Sequence, residues 1–180
     1  MGGPRPARRP SGAALTDLPI VTTADGIRIL PDIEGAPGVD TLEGRIGPLL
    51  NAQRGGAHFI EVPPDAYMDD HAHPTESLIY TVRGQWVLCS RGTRWHMRAG
   101  GLFWFGDAVP TGYENPFREP ALLLIFKTEE REPGYDRAAL TRIEGVREKL
   151  EQEHAAGTPF TFSELSEDHP AKVFARSLGR

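Results

Sequence analysis

Short apolar runs, each closed by a turn signal, dominate the middle of the chain. They fall at 57–62 (AHFIEV), 77–83 (SLIYTVR), 85–90 (QWVLCS), 93–98 (TRWHMR), 101–105 (GLFWF) and 121–127 (ALLLIFK). Pro63-Pro64-Asp65, Arg91-Gly92 and Ala99-Gly100-Gly101 separate them, and these are the residues turns select. Closely spaced short strands predict a sandwich or closed barrel rather than a βαβ sheet. Upstream, Gly, Pro and Asp punctuate 24–48, which predicts short strands and turns rather than helices.

The pattern changes after Lys127, where the chain reads Thr-Glu-Glu-Arg-Glu-Pro-Gly. Asp136 is a suitable N-cap for a helix running to about Ala156, with Gly157 as its stop. Leu140, Ile143, Val146 and Leu150 recur at helical spacing, so this helix needs a surface, either the outside of the barrel or a partner subunit. A second short helix follows Pro170, carrying Val173, Phe174 and Leu178. The apolar content of 128–180 is too thin for a separate core. The expected organisation is a disordered tail (1–17), one β-barrel domain (18–127) and a helical extension packed on that domain (128–180).

Two histidines one residue apart, His71 and His73, lie at the head of the strand run that ends at Gly84. In an extended strand, residues i and i+2 share a face about 6.6 Å apart, so two imidazoles so placed can grip one ion. The surrounding stretch, 58–127, resembles the cupin superfamily, and the resemblance rests on two motifs. The first has two histidines separated by one residue, a glutamate or glutamine ligand, and a glycine seven positions after that ligand. His71, His73 and Gly84 match, which puts the ligand position on Ser77. Strand parity agrees, since 71, 73 and 77 share a face and Glu76 takes the other; a bulge at Pro74 could still turn Glu76 inward. The second motif begins at Gly100 and ends at Asn115, with Gly106 in place of its proline, Ala108 of its glycine and Thr111 of its metal-binding histidine.

The resemblance implies an all-β double-stranded β-helix, or jelly roll, with a small-molecule pocket in the barrel and a homodimer as the expected assembly. It also implies a divalent metal (Fe, Mn, Ni or Zn) on His71 and His73. Ser and Thr hydroxyls are poor ligands for such ions, so a usable site needs a third protein donor. Glu76 is the first candidate, ahead of Asp69, Asp70, Glu114 and His58. By parity Ser77, Ile79 and Thr81 face inward with the histidines and Tyr80 faces out. Thr111, Tyr113 and Glu114 cross the barrel mouth, where Thr111 can contact a ligand and Tyr113 and Glu114 can serve as acid or base. Trp86, Trp95, Trp104, Phe103 and Phe105 read as core and pocket lining. His96 points to water if Trp95 and Met97 fill the core, and His154 and His169 read as surface residues.

Composition narrows the function classes. The 180 residues carry 20 Lys and Arg against 25 Asp and Glu, a net charge of −5 with both signs interspersed, so no nucleic-acid surface is indicated. No apolar stretch approaches a membrane span. The basic, proline-rich start contains Arg8-Arg9 but lacks the hydrophobic segment of an export signal, so a cytoplasmic protein is expected. The single cysteine, Cys89, excludes an internal disulfide and, within Trp86-Val87-Leu88-Cys89, reads as a small buried hydrophobe. Three function classes follow: a metal-dependent oxygenase, isomerase or lyase; a metal-free binding module or epimerase-like enzyme; and a protein whose main role is assembly.

Overall fold

The computed structural model of the chain describes residues 18–128 and 135–180. The expected tail at 1–17 lies outside the described residues, as does the side chain of Asp136. Among the described residues twelve strands form in chain order: β1 (Val21–Thr22), β2 (Arg28–Ile29), β3 (Val39–Thr41), β4 (Gly44–Ala52), β5 (Gly55–Val62), β6 (Tyr67–Ala72), β7 (Ser77–Arg83), β8 (Gln85–Ser90), β9 (Thr93–Arg98), β10 (Leu102–Phe105), β11 (Pro110–Glu114) and β12 (Ala121–Lys127). Two helices follow, α1 (Tyr135–Ala155) and α2 (Pro170–Ser177). Beyond the β1–β2 hairpin the strands make a six-stranded sheet, β10-β7-β12-β5-β4-β3, facing a four-stranded sheet, β6-β11-β8-β9. All pairings are antiparallel, and the interleaved order is that of a double-stranded β-helix.

The inner faces of the two sheets close on Ile60, Val62, Ile79, Trp86, Leu88, Phe105 and Leu123. Burying such side chains contributes roughly 1.5–3 kcal/mol each. Strand alternation does this sorting: Ser77, Ile79 and Thr81 are buried along β7, whereas Leu78 and Tyr80 between them are exposed.

Strands β7, β8, β9 and β12 coincide with their apolar runs, while β4, β6 and β11 do not stand out in the sequence. In β4 the residues Gly47 and Pro48 speak against a strand. Yet a Cβ at Gly47 would strike the Pro37 carbonyl and the Phe59 ring. Pro48 sits beyond the reach of β3, at a register shift against β5, where a missing N–H is tolerated. Gly112 of β11 likewise lets that strand approach β6, since a Cβ there would meet the Met68 carbonyl.

The C-terminal segment packs on β6 through Tyr67 and Met68, which point to opposite faces of that strand, and α1 also contacts β3 and β4. Leu150 of α1 buries with Met68 and Phe160, and Ala171 and Ala175 of α2 bury with Tyr67, Phe162 and Leu165. Helix α1 begins at Tyr135, one residue before the expected cap, and ends ahead of Gly157, whose φ is +102°. Only part of its stripe is covered, for Leu150 is buried while Val146 remains 39% exposed.

The tryptophans correct one expectation. Trp86 is buried, but Trp95 and Trp104 lie on outer faces, 47% and 63% exposed. Trp104 pairs with Leu78 across β10 and β7, and Leu78 pairs in turn with Phe126 of β12. Leu102 pairs with Tyr80 one step further along. Together they form an exposed apolar face on three adjacent strands. Because Trp95 stays exposed, the condition that would turn His96 to water is not met: His96 stacks on Phe117 at 5.0 Å and donates through Nε2 to Gln85 Oε1 at 3.0 Å.

Candidate functional site

A cavity of about 110 Å³ opens at one end of the barrel. Its walls are apolar, with Ile60, Ile79, Trp86, Leu88, Phe103 and Phe105 among them, and its polar lining gathers at the mouth. His71, His73, Ser77 and Thr111 all line it, so the four positions that the motif comparison singled out converge. They do so from two sheets. β6 ends at Ala72 and β7 begins at Ser77, placing His71 in the four-stranded sheet and Ser77 in the six-stranded one. Parity along a single strand is therefore not what brings these residues to one cavity; the facing of the two sheets is.

The histidines stand with ring centroids 4.5 Å apart at 61°. His71 Nδ1 lies 3.0 Å from the Asp69 carbonyl, which can only accept, so Nδ1 is the donor in this contact. His73 leans on Phe105 at 5.3 Å, and its own carbonyl accepts from Ala108 N–H at 2.8 Å. Ala108 adopts φ +59° in the place of the motif glycine. Burial, then the charges of His71 and Lys127, depress the His73 pKa to about 4, so its imidazole is neutral near pH 7. Thr111 faces His71 directly across β11 and β6.

Ser77 is 1% exposed, and its hydroxyl has no hydrogen-bond partner among the described residues. Such an orphan is uncommon in folded proteins and costs about 1–3 kcal/mol. Its register partner on β12 is Lys127, which also lines the cavity. Glu43, in the β3–β4 turn of the same sheet, also lines the cavity; burial raises its pKa and His71 opposes the rise.

Other candidate residues have different occupations. Glu76 lies outside the cavity, where its carboxylate accepts from Trp104 Nε1 at 2.9 Å and from the Thr128 hydroxyl. Hydrogen bonds from Thr128 and Trp104 hold its pKa below the usual range. Thr81 is buried and accepts from Trp86 Nε1 at 3.0 Å, so it belongs to the core. Glu114 is fully buried on the far side of β11 in an ion pair with Arg94 at 2.9 Å. Tyr113 lines the cavity, but its hydroxyl donates to the Glu43 carbonyl at 2.7 Å. Burial, aided by Glu43, pushes its pKa well up, the reverse of what a base requires. Asn115, the end of the second motif, is structural: Nδ2 donates to the Val62 and Glu119 carbonyls and Oδ1 accepts from Phe117 N–H. Cys89 is buried, its thiol pushed up to about 12.

The donor set does not complete a metal site. Two imidazoles meet, and Ser77 and Thr111 stand where further ligands would. Among the described residues no three His, Cys, Asp or Glu form a group that could hold an ion. Sequence reasoning passed over Glu43 and Lys127 as mouth residues. Lys127 carried a usable signal, the inward parity of Leu123 and Ile125, whereas Glu43 sits in a turn whose direction only the fold sets. Among the described residues no helix is long and apolar enough to cross a membrane.

Comparison with known proteins agrees with this architecture. Residues 57–134 match the family described as AraC-like ligand binding domain. Among curated proteins none matches the chain in sequence. A putative ethanolamine utilization protein Q from Salmonella typhimurium LT2 is similar in fold, with TM-score 0.53 and 12% identity over 62% of this chain and 94% of that one. The EutQ protein of Clostridium difficile is similar at TM-score 0.52 and 13% identity, over 63% of this chain and 96% of that one. An RmlC-like cupin from Shewanella frigidimarina NCIMB 400 shares 23% identity over 49% of this chain and 78% of that one, with TM-score 0.44. The barrel order is that of a cupin-type double-stranded β-helix, and the stretch that matches the ligand-binding family carries Thr111 where the second cupin motif has its metal-binding histidine.

Proposed function

We propose that the barrel is a binding site for one small organic molecule and works without a protein-held metal ion. The observation that carries this reading is the Ser77 hydroxyl, buried on the wall of a largely apolar cavity and without a hydrogen-bond partner among the described residues. A ligand inside the barrel supplies the missing partner. The match to a ligand-binding domain supports binding as the role. The two residues expected to move protons, Tyr113 and Glu114, are engaged elsewhere, which favours binding over catalysis. A divalent ion on His71 and His73, the alternative, finds no third His, Cys, Asp or Glu ligand among the described residues.

The test is elemental analysis of the full chain after reconstitution with iron, manganese, nickel and zinc, alongside thermal unfolding with a small apolar probe such as toluene. The reading expects no stoichiometric metal, indifference to chelator and a rise in Tm with toluene, because a ligand of the native state alone stabilises it. One equivalent of metal, lost in a His71→Ala/His73→Ala variant, would overturn it in favour of the metal-dependent alternative.

Assembly as a homodimer belongs to the same reading. Its support is the apolar face of Leu78, Tyr80, Leu102, Trp104 and Phe126, next to the unpaired edge of β10. Exposed patches of this kind mark interaction surfaces, and an open sheet edge invites pairing. A cytoplasmic location is the remaining part, supported by the single unpaired cysteine.

A further inference from the structure

We propose that the ligand of this pocket is a small neutral carbonyl compound, its oxygen accepting a hydrogen bond from the Ser77 hydroxyl and its ring-sized apolar body filling the barrel. This rests on the reading of the barrel as a ligand pocket and names the chemical class that fits it.

The need for an acceptor comes from what surrounds Ser77. Its side chain is buried and lines the cavity, and its hydroxyl has no hydrogen-bond partner among the described residues. Residues paired across a sheet share a face, with Cβ atoms about 4.5–5.5 Å apart, so the side chains directly opposite Ser77 are its register partners. On β10 that partner is Phe105, an apolar ring, and on β12 it is Lys127. An ammonium group only donates, so neither neighbour offers the Ser77 O–H an acceptor. An acceptor brought by the ligand completes the bond.

That acceptor is a neutral one. A charged group enters an apolar cavity only against an opposite charge that it can pair with. Lys127 and His58, which both line the cavity, have interaction partners of their own. Glu43 and His71 act on one another, the imidazole opposing the rise that burial imposes on the carboxyl. His73 is neutral near pH 7, and the Tyr113 hydroxyl is committed to the Glu43 carbonyl. A ligand carboxylate or ammonium therefore meets, among the described residues, no opposite charge that is not already engaged.

Counting hydrogens separates a carbonyl from an alcohol. One hydroxyl against another makes one bond and leaves a second O–H among walls such as Ile79, Leu88 and Phe105, which hold no acceptor. A buried donor left without an acceptor is the costlier orphan. A carbonyl brings acceptors only, so a single bond leaves no donor unmet at Ser77. Size sets the rest: an apolar cavity of about 150 Å³ accommodates a benzene, so about 110 Å³ takes one small ring and not two.

The experiment is calorimetric titration of the full chain with probes built on one ring: cyclopentanone, cyclopentanol, cyclopentanecarboxylate, cyclopentylamine and methylcyclopentane. It is repeated on Ser77→Ala. Cyclopentanone is expected to bind about 3- to 10-fold more tightly than cyclopentanol, and both more tightly than the two charged probes. Ser77→Ala should weaken cyclopentanone about 3- to 10-fold and abolish its advantage over the alcohol. Methylcyclopentane should bind the variant as well as the wild type, which shows that the cavity is intact. Tighter binding of the carboxylate or the amine than of the ketone would overturn the neutral ligand. An alcohol that matches or exceeds the ketone would overturn the carbonyl; in both cases methylcyclopentane binding leaves the pocket standing. A ketone affinity unchanged in Ser77→Ala would overturn Ser77 as the donor. Failure of every probe, methylcyclopentane included, would overturn both readings.

Discussion

Arg94 of β9 and Glu114 of β11 meet at 2.9 Å inside the four-stranded sheet, with β8 lying between their strands and the carboxylate fully buried. A motif comparison assigns Glu114 to the barrel mouth, yet this pair ties two strands together on the other face. Breaking one side of a buried pair strands the remaining charge, which typically costs about 3–5 kcal/mol. Glu114→Ala is therefore expected to lower the urea midpoint by a corresponding amount, while Arg94→Met/Glu114→Leu recovers most of the loss. Equal stability of Glu114→Ala and wild type would contradict the structural role.

Ser77 offers a contrasting outcome. Removing an unsatisfied buried hydroxyl relieves a desolvation cost, so Ser77→Ala is expected to stabilise the ligand-free protein by about 1 kcal/mol. Chemical denaturation of ligand-free protein checks this. A destabilised variant would mean that the hydroxyl has a partner in solution.

The pH dependence follows from His73. Its native pKa is depressed to about 4, by burial first and then by the charges of His71 and Lys127. The unfolded histidine titrates near 6.5, at its model value. Between those limits the unfolded chain binds a proton that the native state refuses, so stability declines as pH falls from about 6.5 toward 4 and is unaffected by this group above that window. Urea midpoints at pH 7.5 and pH 5 should show the decline, and His73→Phe should reduce the slope. An unchanged slope would place the acid sensitivity elsewhere.

Trp104, at 63% exposure, sits in the most open part of the apolar face. Trp104→Arg is expected to convert a dimeric wild type into a monomer by sedimentation equilibrium, with the Tm little changed. A wild type that is itself monomeric at high concentration would remove the assembly reading.

Much of the architecture was legible in the residues. The periodicity of β7, β8, β9 and β12 marked their bounds, because strands buried on one face must alternate and their turns need Gly, Pro or Asp. The His71/His73 spacing and the registers of Gly84, Gly100 and Asn115 pointed to the cupin-type fold and to four positions that line one cavity. What stayed hidden is contact across sheets. β4 is held by neighbours that tolerate Gly47 and Pro48, and β6 and β11 are too polar to announce themselves. Whether Glu76 turned inward, whether Tyr113 was free and what lay opposite Ser77 depended on how the two sheets close, and no local pattern encodes that closure. The sequence by itself determined which residues alternate and where turns fall. Only the tertiary structure decided that Glu76 serves Trp104 and Thr128, that Glu114 serves Arg94, and that Ser77 faces the cavity beside Lys127 without a partner. The physical reason is that alternation is a property of one strand, whereas hydrogen-bond satisfaction is a property of everything packed around it.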